Sequence, residues 1–263
     1  MNKSVVITGS TRGIGYSLAE AFLERDCAVT ISGRTAEAVN EAVAKLSSRY
    51  SKELIYGFAC DMTDYLQVQM LWEKARAHFG RIDIWINNAG TAAPMTKFWE
   101  LSPEQYDDVV QTNILGTMYG TKVALTGMLA QNSGALYNLE GFGAKGRGMR
   151  GMTLYGSTKA SVHFIDRSLA MEIEGTPVIT GAVAPGMVIT DMITQQFIGR
   201  EEELEKSKRI LNIIGERAET VTPVLAGKIL NNKKNGVTIT YSSSFRMFGK
   251  FLAAPFSKRD LFS

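Results

Sequence analysis

An α/β fold built on one doubly wound, mostly parallel sheet of about seven strands is what this sequence predicts, on three observations. Short β-rich runs alternate with helical periods from one end to the other. A glycine-rich turn sits between the first strand and the first helix. No Ser/Pro-rich linker, internal repeat or low-complexity block divides the 263 residues, so a single domain is expected. Each crossover helix returns the chain to the same end of the sheet, which makes the pairing parallel and places helices on its faces.

The strands expected in order are Ser4 to Thr8, Ala28 to Ile31, Leu54 to Ala59, Ile82 to Ile86, Ala135 to Leu139, Val178 to Val183 and Val237 to Thr240. Between them, apolar residues recur three and four apart, as in Ile14, Leu18, Ala21 and Phe22, or Val68, Leu71, Trp72, Ala75 and Phe79, which is helical spacing. Val162, Ile165, Leu169 and Ile173 form a further stripe behind Tyr155. The segments expected to be irregular are Glu140 to Met152, with five glycines, and Gly186 to Glu201. Both follow strand ends at the carboxyl edge, where ligands of such sheets bind.

A hydrophobic fraction of 45% and a charged fraction of 21% suit a large core and exclude disorder as the main state. Two cysteines, Cys27 and Cys60, and two histidines, His78 and His163, cannot build a zinc framework or a disulfide scaffold. All four are read as packing or surface residues, and no metal is expected. The net charge of +3 gives no case for nucleic acid, although it hides a local balance of +6 from Lys228 to Ser263. No stretch reaches the ~18 apolar residues of a membrane span, and the N-terminus lacks an apolar signal region, so a cytoplasmic location is expected.

Residues 1–240 are assigned to the domain and 241–263 to a basic, aromatic extension. In the extension Phe245, Phe248, Phe251, Phe256 and Phe262 interleave with Arg246, Lys250, Lys258 and Arg259. Substrate lid, subunit packing and peripheral membrane contact are all open for it.

Two segments carry chemistry. Thr8 to Gly15 places Gly9, Thr11, Arg12, Gly13, Ile14 and Gly15 between strand and helix, where glycines let backbone approach a diphosphate and free amides at the helix start face its charge. That is the turn of a Rossmann-type domain. At the second strand's end Gly33 and Arg34 stand where a cofactor with a free 2′-hydroxyl would meet a carboxylate. Arg34 and Arg12 suit a 2′-phosphate instead, so NADP(H) is expected. The second segment is Tyr155-Gly156-Ser157-Thr158-Lys159. One helical turn puts Tyr155 and Lys159 on one face, where the ammonium is expected to lower the phenol's pKa towards the working range.

Together with Asp61, Asn87-Asn88-Ala89-Gly90, Asn113 and Pro185-Gly186-Met187-Val188-Ile189-Thr190, these segments resemble the short-chain dehydrogenase/reductase family. The resemblance runs from Ser4 to about Thr240. It implies that Gly9, Gly13, Ile14 and Gly15 surround the diphosphate and that Asp61 and Met62 meet the adenine. Asn88, Ala89 and Gly90 line the cofactor floor, and Val188 and Thr190, after Pro185 and Gly186, contact the nicotinamide end. Tyr155 acts as proton donor, Lys159 tunes it and holds the ribose, and Asn113 holds a helix kink and a water. Homodimers or homotetramers joined through the helices of Asn113 and Tyr155 are also implied.

One member of the pattern is missing. Where the family carries a serine that hydrogen-bonds the substrate carbonyl, this chain reads Leu139-Glu140-Gly141-Phe142-Gly143. An acidic residue followed by glycine there resembles the chlorophyll b reductase branch, which implies a tetrapyrrole aldehyde as the carbonyl substrate. Glu140, Gly141 and Phe142 are then the substrate-loop candidates. A module that binds NADP(H) as sensor or scaffold, having lost catalysis with its serine, is the alternative.

Overall fold

A computed structural model describes residues 2–197, 200–241 and 259–262. Its first half runs β1 (Ser4–Ile7), α1 (Gly13–Leu23), β2 (Ala28–Gly33), α2 (Ala36–Ser47), β3 (Ile55–Ala59), α3 (Tyr65–Phe79) and β4 (Ile84–Asn87). The second half runs α4 (Pro103–Val110), α5 (Gly116–Ala130), β5 (Gly134–Leu139), α6 (Thr153–Glu172), β6 (Val178–Ala184), α7 (Asp191–Gln195), α8 (Glu201–Ile214), α9 (Ala218–Asn231) and β7 (Val237–Thr240). Among the described residues the strands form one parallel sheet in the order β3-β2-β1-β4-β5-β6-β7. The winding reverses between β1 and β4, which opens a crevice at their carboxyl ends.

Strand alternation sorts the core into two layers. Val5, Ile7, Ile84, Ile86, Tyr137 and Leu139 face one side, where α1 and α9 pack. Val6, Trp85 and Leu136 face the other, against apolar residues of α3 and α5. Val5, Val6 and Ile7 are fully buried, as a parallel strand covered on both faces requires. On the second side the apolar layer gives way to buried polar groups at the carboxyl end. Asn87 and Asn138 occupy the next two-residue steps after Trp85 and Leu136. There Asn87 Nδ2 donates to Asn138 Oδ1 at 2.7 Å, and Trp85 Nε1 donates to Asn87 Oδ1 at 2.7 Å.

The helix starts differ in a way that matters below. Thr35 caps α2, Asp64 caps α3 by accepting from the amides of Leu66 and Gln67, and a Ser102–Gln105 capping box with Pro103 opens α4. Such caps are worth about 1 kcal/mol each. Helix α1 has none: its N-cap is Arg12, without a side-chain cap or an acidic residue in the first turn. Its leading amides are left for another acceptor.

Candidate active site

The carboxyl edge is tied together by short polar contacts. Thr8, expected as the last residue of the first strand, stands just beyond it, and its Oγ1 accepts the amides of Asn88 and Ala89, both at 3.0 Å. Asn88 Nδ2 donates to the carbonyls of Thr8 and Gly9, both at 2.8 Å. Gly9 has φ +61°, and a Cβ there would come within 2.8 Å of Ala89 Cα, so the glycine is required by both conformation and space. A Cβ on Gly15 would overlap the Asn88 side chain. Ser10 N donates to Ser32 O at 2.7 Å, and a Cβ on Gly33 would meet Thr11 Cγ2 at 2.6 Å, so the end of β2 lies against the glycine turn. Arg12 and Arg34 are thereby brought to one corner, both exposed.

The other predicted residues fall around this turn. Asp61 is fixed after β3 by accepting from Thr63 N at 2.9 Å and Thr63 Oγ1 at 2.8 Å. Met62 is buried against Gly116 and Gly120 of α5. Thr190 Cγ2 lies 3.7 Å from where a Cβ of Gly13 would stand, which joins the segment after β6 to the start of α1. Pro185 and Gly186 lead into Val188, which is buried and bridges to Glu216, with Ile189 N donating to Glu216 O at 2.9 Å. An uncapped helix start beside two exposed arginines and a glycine turn fits a dinucleotide diphosphate with a further phosphate group.

Tyr155 and Lys159, both on α6, lie beside the end of β5. A Cβ on Gly141 would overlap Tyr155 Oη and meet Lys159 Cγ at 3.2 Å, so the phenol lies against bare backbone. Lys159 is buried, its Nζ donates to Leu139 O at 3.0 Å, and it stands 5.8 Å from the centre of the Tyr155 ring. Asn113 is fully buried in a π-helical turn, Gln111–Leu115, between α4 and α5. Its Oδ1 accepts from Thr91 N at 2.8 Å, and its Nδ2 donates to Thr91 O at 2.9 Å and Thr158 Oγ1 at 3.1 Å. A Cβ on Gly90 would lie 3.3 Å from Asn113 Oδ1 and 3.8 Å from Lys159 Nζ, so the segment after β4 meets Asn113 and Lys159 here.

Sequence similarity bears on what this arrangement belongs to. The profile of the family described as short chain dehydrogenase matches residues 3–201. The chain belongs to the short chain dehydrogenase family. Within it, the chain is 36% identical over 231 residues to a protein of Oryza sativa subsp. japonica named chlorophyll(ide) b reductase NOL, chloroplastic, covering 86% of this chain and 66% of the relative. It is 32% identical over 255 residues to a protein of Arabidopsis thaliana named probable chlorophyll(ide) b reductase NYC1, chloroplastic, covering 91% of this chain and 50% of the relative. The chain thus spans between half and two thirds of these relatives' length. The solved structure of ElxO with NADP bound superposes with a TM-score of 0.80 at 30% identity, covering 92% of this chain and 97% of that one. Among the described residues no helix is long and apolar enough to cross a membrane.

One electrostatic expectation from the sequence is reversed. Burial pushes the Tyr155 phenol up to about 12 and Lys159 down to about 8, the latter against the opposing pull of Asp166 and Glu140. Desolvation sets both directions, since burial penalises the phenolate of Tyr155 and the ammonium of Lys159, whose Nζ is engaged by the Leu139 carbonyl. A neutral phenol is the form that can donate a proton.

Two residues escaped the sequence reading. His163, expected in a packing or surface role, places Nδ1 2.6 Å from Glu140 Oε1. Asp166 is buried and accepts from Asn138 Nδ2 at 2.6 Å. Burial pushes its carboxyl up to about 8, against that hydrogen bond. Glu140, placed in the substrate loop from sequence, is itself buried beneath the strand end, while Phe142 is half-buried. The signal was present: residues 155, 159, 163 and 166 follow helical spacing, and 138 and 140 share a strand face.

Of the extension, Phe245 to Lys258 lies outside the described residues. Arg259 pairs with Glu216, Leu261 N donates to Asn212 Oδ1 at 2.9 Å, and Lys208 Nζ stands 5.5 Å from the centre of the Phe262 ring, which seats residues 259–262 on α8.

Proposed function

We propose that this chain is an NADP(H)-dependent carbonyl reductase in which Tyr155 gives a proton to the oxygen of an aldehyde or ketone. The reduced nicotinamide, when bound, supplies the hydride to the carbonyl carbon. Arg12 and Arg34 would hold the 2′-phosphate, and the uncapped amides of α1 the diphosphate. Tyr155 holds its proton firmly until a developing alkoxide beside it becomes the stronger base. Lys159 then favours the phenolate left behind, and Asn113 fixes the turn that faces it.

The observation that carries this reading is the seating of Tyr155 Oη against Gly141, with Lys159 buried beside it and close to Gly90, whose neighbour Ala89 packs on the glycine turn. The substrate class is an aldehyde on a large planar tetrapyrrole, supported by the relatives named chlorophyll(ide) b reductase. Gly141 in place of a hydroxyl-bearing residue favours the alternative of a binding module without turnover.

Both are separated by following NADPH oxidation at 340 nm against aromatic and aliphatic aldehydes and chlorophyllide b, with NADH in parallel. Turnover that prefers NADPH and includes chlorophyllide b is expected. Tight NADPH binding with silence across the whole series would establish the module instead.

A further inference from the structure

Main-chain pairing along β5 stops at a sharp point beside Tyr155. Glu140 N still donates to Val183 O of β6 at 2.8 Å, and Ala144 N donates to Gly141 O at 3.2 Å to close a turn. Between them, the amides of Gly141, Phe142 and Gly143 meet no acceptor among the described residues, and all three residues are half-buried. An amide left unpaired there is a donor for whatever enters the crevice. The ladder gives the direction of the first of them. Main-chain groups of a parallel strand turn to its two neighbours alternately, so with Glu140 facing β6, Leu139 and Gly141 face the β4 side. Lys159 agrees with this: its Nζ donates to Leu139 O at 3.0 Å and lies 3.8 Å from where a Cβ of Gly90, just after β4, would stand. The Gly141 amide is therefore one two-residue step beyond the carbonyl that holds Lys159, on the same side. Tyr155 Oη lies against that same residue, since a Cβ on Gly141 would overlap it. The Glu140 side chain is directed elsewhere, buried with Oε1 2.6 Å from His163 Nδ1.

We propose that the main-chain amide of Gly141 takes the place of the absent hydroxyl and donates a hydrogen bond to the carbonyl oxygen that Tyr155 protonates. A carbonyl oxygen has two lone pairs, one for the phenol and one for the amide. The amide keeps its hydrogen throughout; the proton comes from Tyr155 Oη, and the hydride goes to the carbonyl carbon. A fixed main-chain donor aimed at a developing oxyanion needs no reorganisation during the reaction. The proposal rests on the reading of Tyr155 as proton donor.

The test replaces Gly141 by glycolate in the full chain, by nonsense suppression, which turns one amide into an ester and deletes its N–H. The exchange breaks no internal hydrogen bond, because neither Gly141 N nor Glu140 O has a partner among the described residues. Gly143→glycolate is the control, the same chemistry in the same turn. The probe is benzaldehyde labelled with 13C at its formyl carbon. Two quantities are read: kcat for NADPH oxidation, and the C=O stretch by difference infrared spectroscopy in the NADP+ complex of Y155F, where the phenol is absent. Gly141→glycolate should lower kcat about 10²-fold with NADPH affinity retained, and Gly143→glycolate should leave kcat within about twofold. In the Y155F background the stretch should rise with Gly141→glycolate and stay in place with Gly143→glycolate. A stretch unmoved by Gly141→glycolate, or an equal loss of kcat in both esters, would overturn the assignment. The infrared reading needs no turnover. Silence with every aldehyde alongside a rising stretch would therefore remove the reductase and keep the donor, whereas turnover undiminished by Gly141→glycolate would keep the reductase and remove the donor.

Discussion

The β1–α1 turn and the β5–α6 turn sit at the same edge of one sheet and solve opposite problems. The first is short and made of backbone: Gly9 takes φ +61°, Gly15 has no room for a side chain, and α1 starts without a cap. The second is long, and its chemistry lies in side chains that rise from α6 against β5, with Tyr155, Lys159, His163 and Asp166 meeting Gly141, Leu139, Glu140 and Asn138 in turn. One turn offers unpaired amides to an anion, and the other buries ionisable groups so that their proton affinities shift. On the proposed reading, binding and proton transfer are separable by substitution, because the two sets of atoms share little beyond the contact of Gly90 with Asn113 and Lys159.

The largest effect is expected at that shared contact. K159M should lower kcat/KM by about 10³-fold and weaken NADPH as well, since it removes the cation beside the phenol. Steady-state kinetics with direct NADPH titration would check it, and a loss confined to one of the two parameters would show that Lys159 belongs to one turn alone. Next comes G141S. Its Cβ would overlap Tyr155 Oη, so the phenol must move, and kcat should fall roughly 10- to 100-fold with NADPH affinity unchanged. A faster enzyme would mean that the added hydroxyl serves the carbonyl and that the bare backbone is a defect.

R12A and R34A probe the other turn. Each would remove the charge-assisted hydrogen bonds proposed to the 2′-phosphate, about 1.5–3 kcal/mol, so NADPH should bind about 10- to 100-fold more weakly while NADH is untouched. Equal losses for both cofactors would place the arginines on the diphosphate. The smallest effect is on stability. Asp166 is raised from its ordinary value to about 8, so between pH 4 and pH 8 the folded state holds a proton that the unfolded state releases. Stability therefore falls as pH rises through that window. D166N escapes this and should melt several degrees above the unmodified protein at pH 8, with the two converging as pH falls below about 4. A constant offset would indicate an ionised Asp166.

The same contrast explains what could be seen in the sequence. The glycine turn is legible because positive φ and close approach admit little but glycine, so the constraint is written in residue type. Sheet and helix order were legible from apolar period, with boundaries shifted by a residue or two where Thr8 left its strand and Ser32 and Gly33 joined theirs. The direction of the Tyr155 shift was not legible, because it depends on how deeply the ring and the ammonium are buried, which spacing does not report. His163 escaped because a lone histidine on a helix is ordinarily a packing residue, and only the fold brings it to Glu140.

The division of labour is tested most directly by Y155F in a single turnover. Enzyme preloaded with NADPH is mixed with an aldehyde that the unmodified protein reduces, and absorbance at 340 nm is followed. NADPH affinity within about twofold of the unmodified protein, with the hydride-transfer rate lowered by about 10³-fold, is the expected result. Transfer at an undiminished rate would contradict the assignment of Tyr155 as the proton donor.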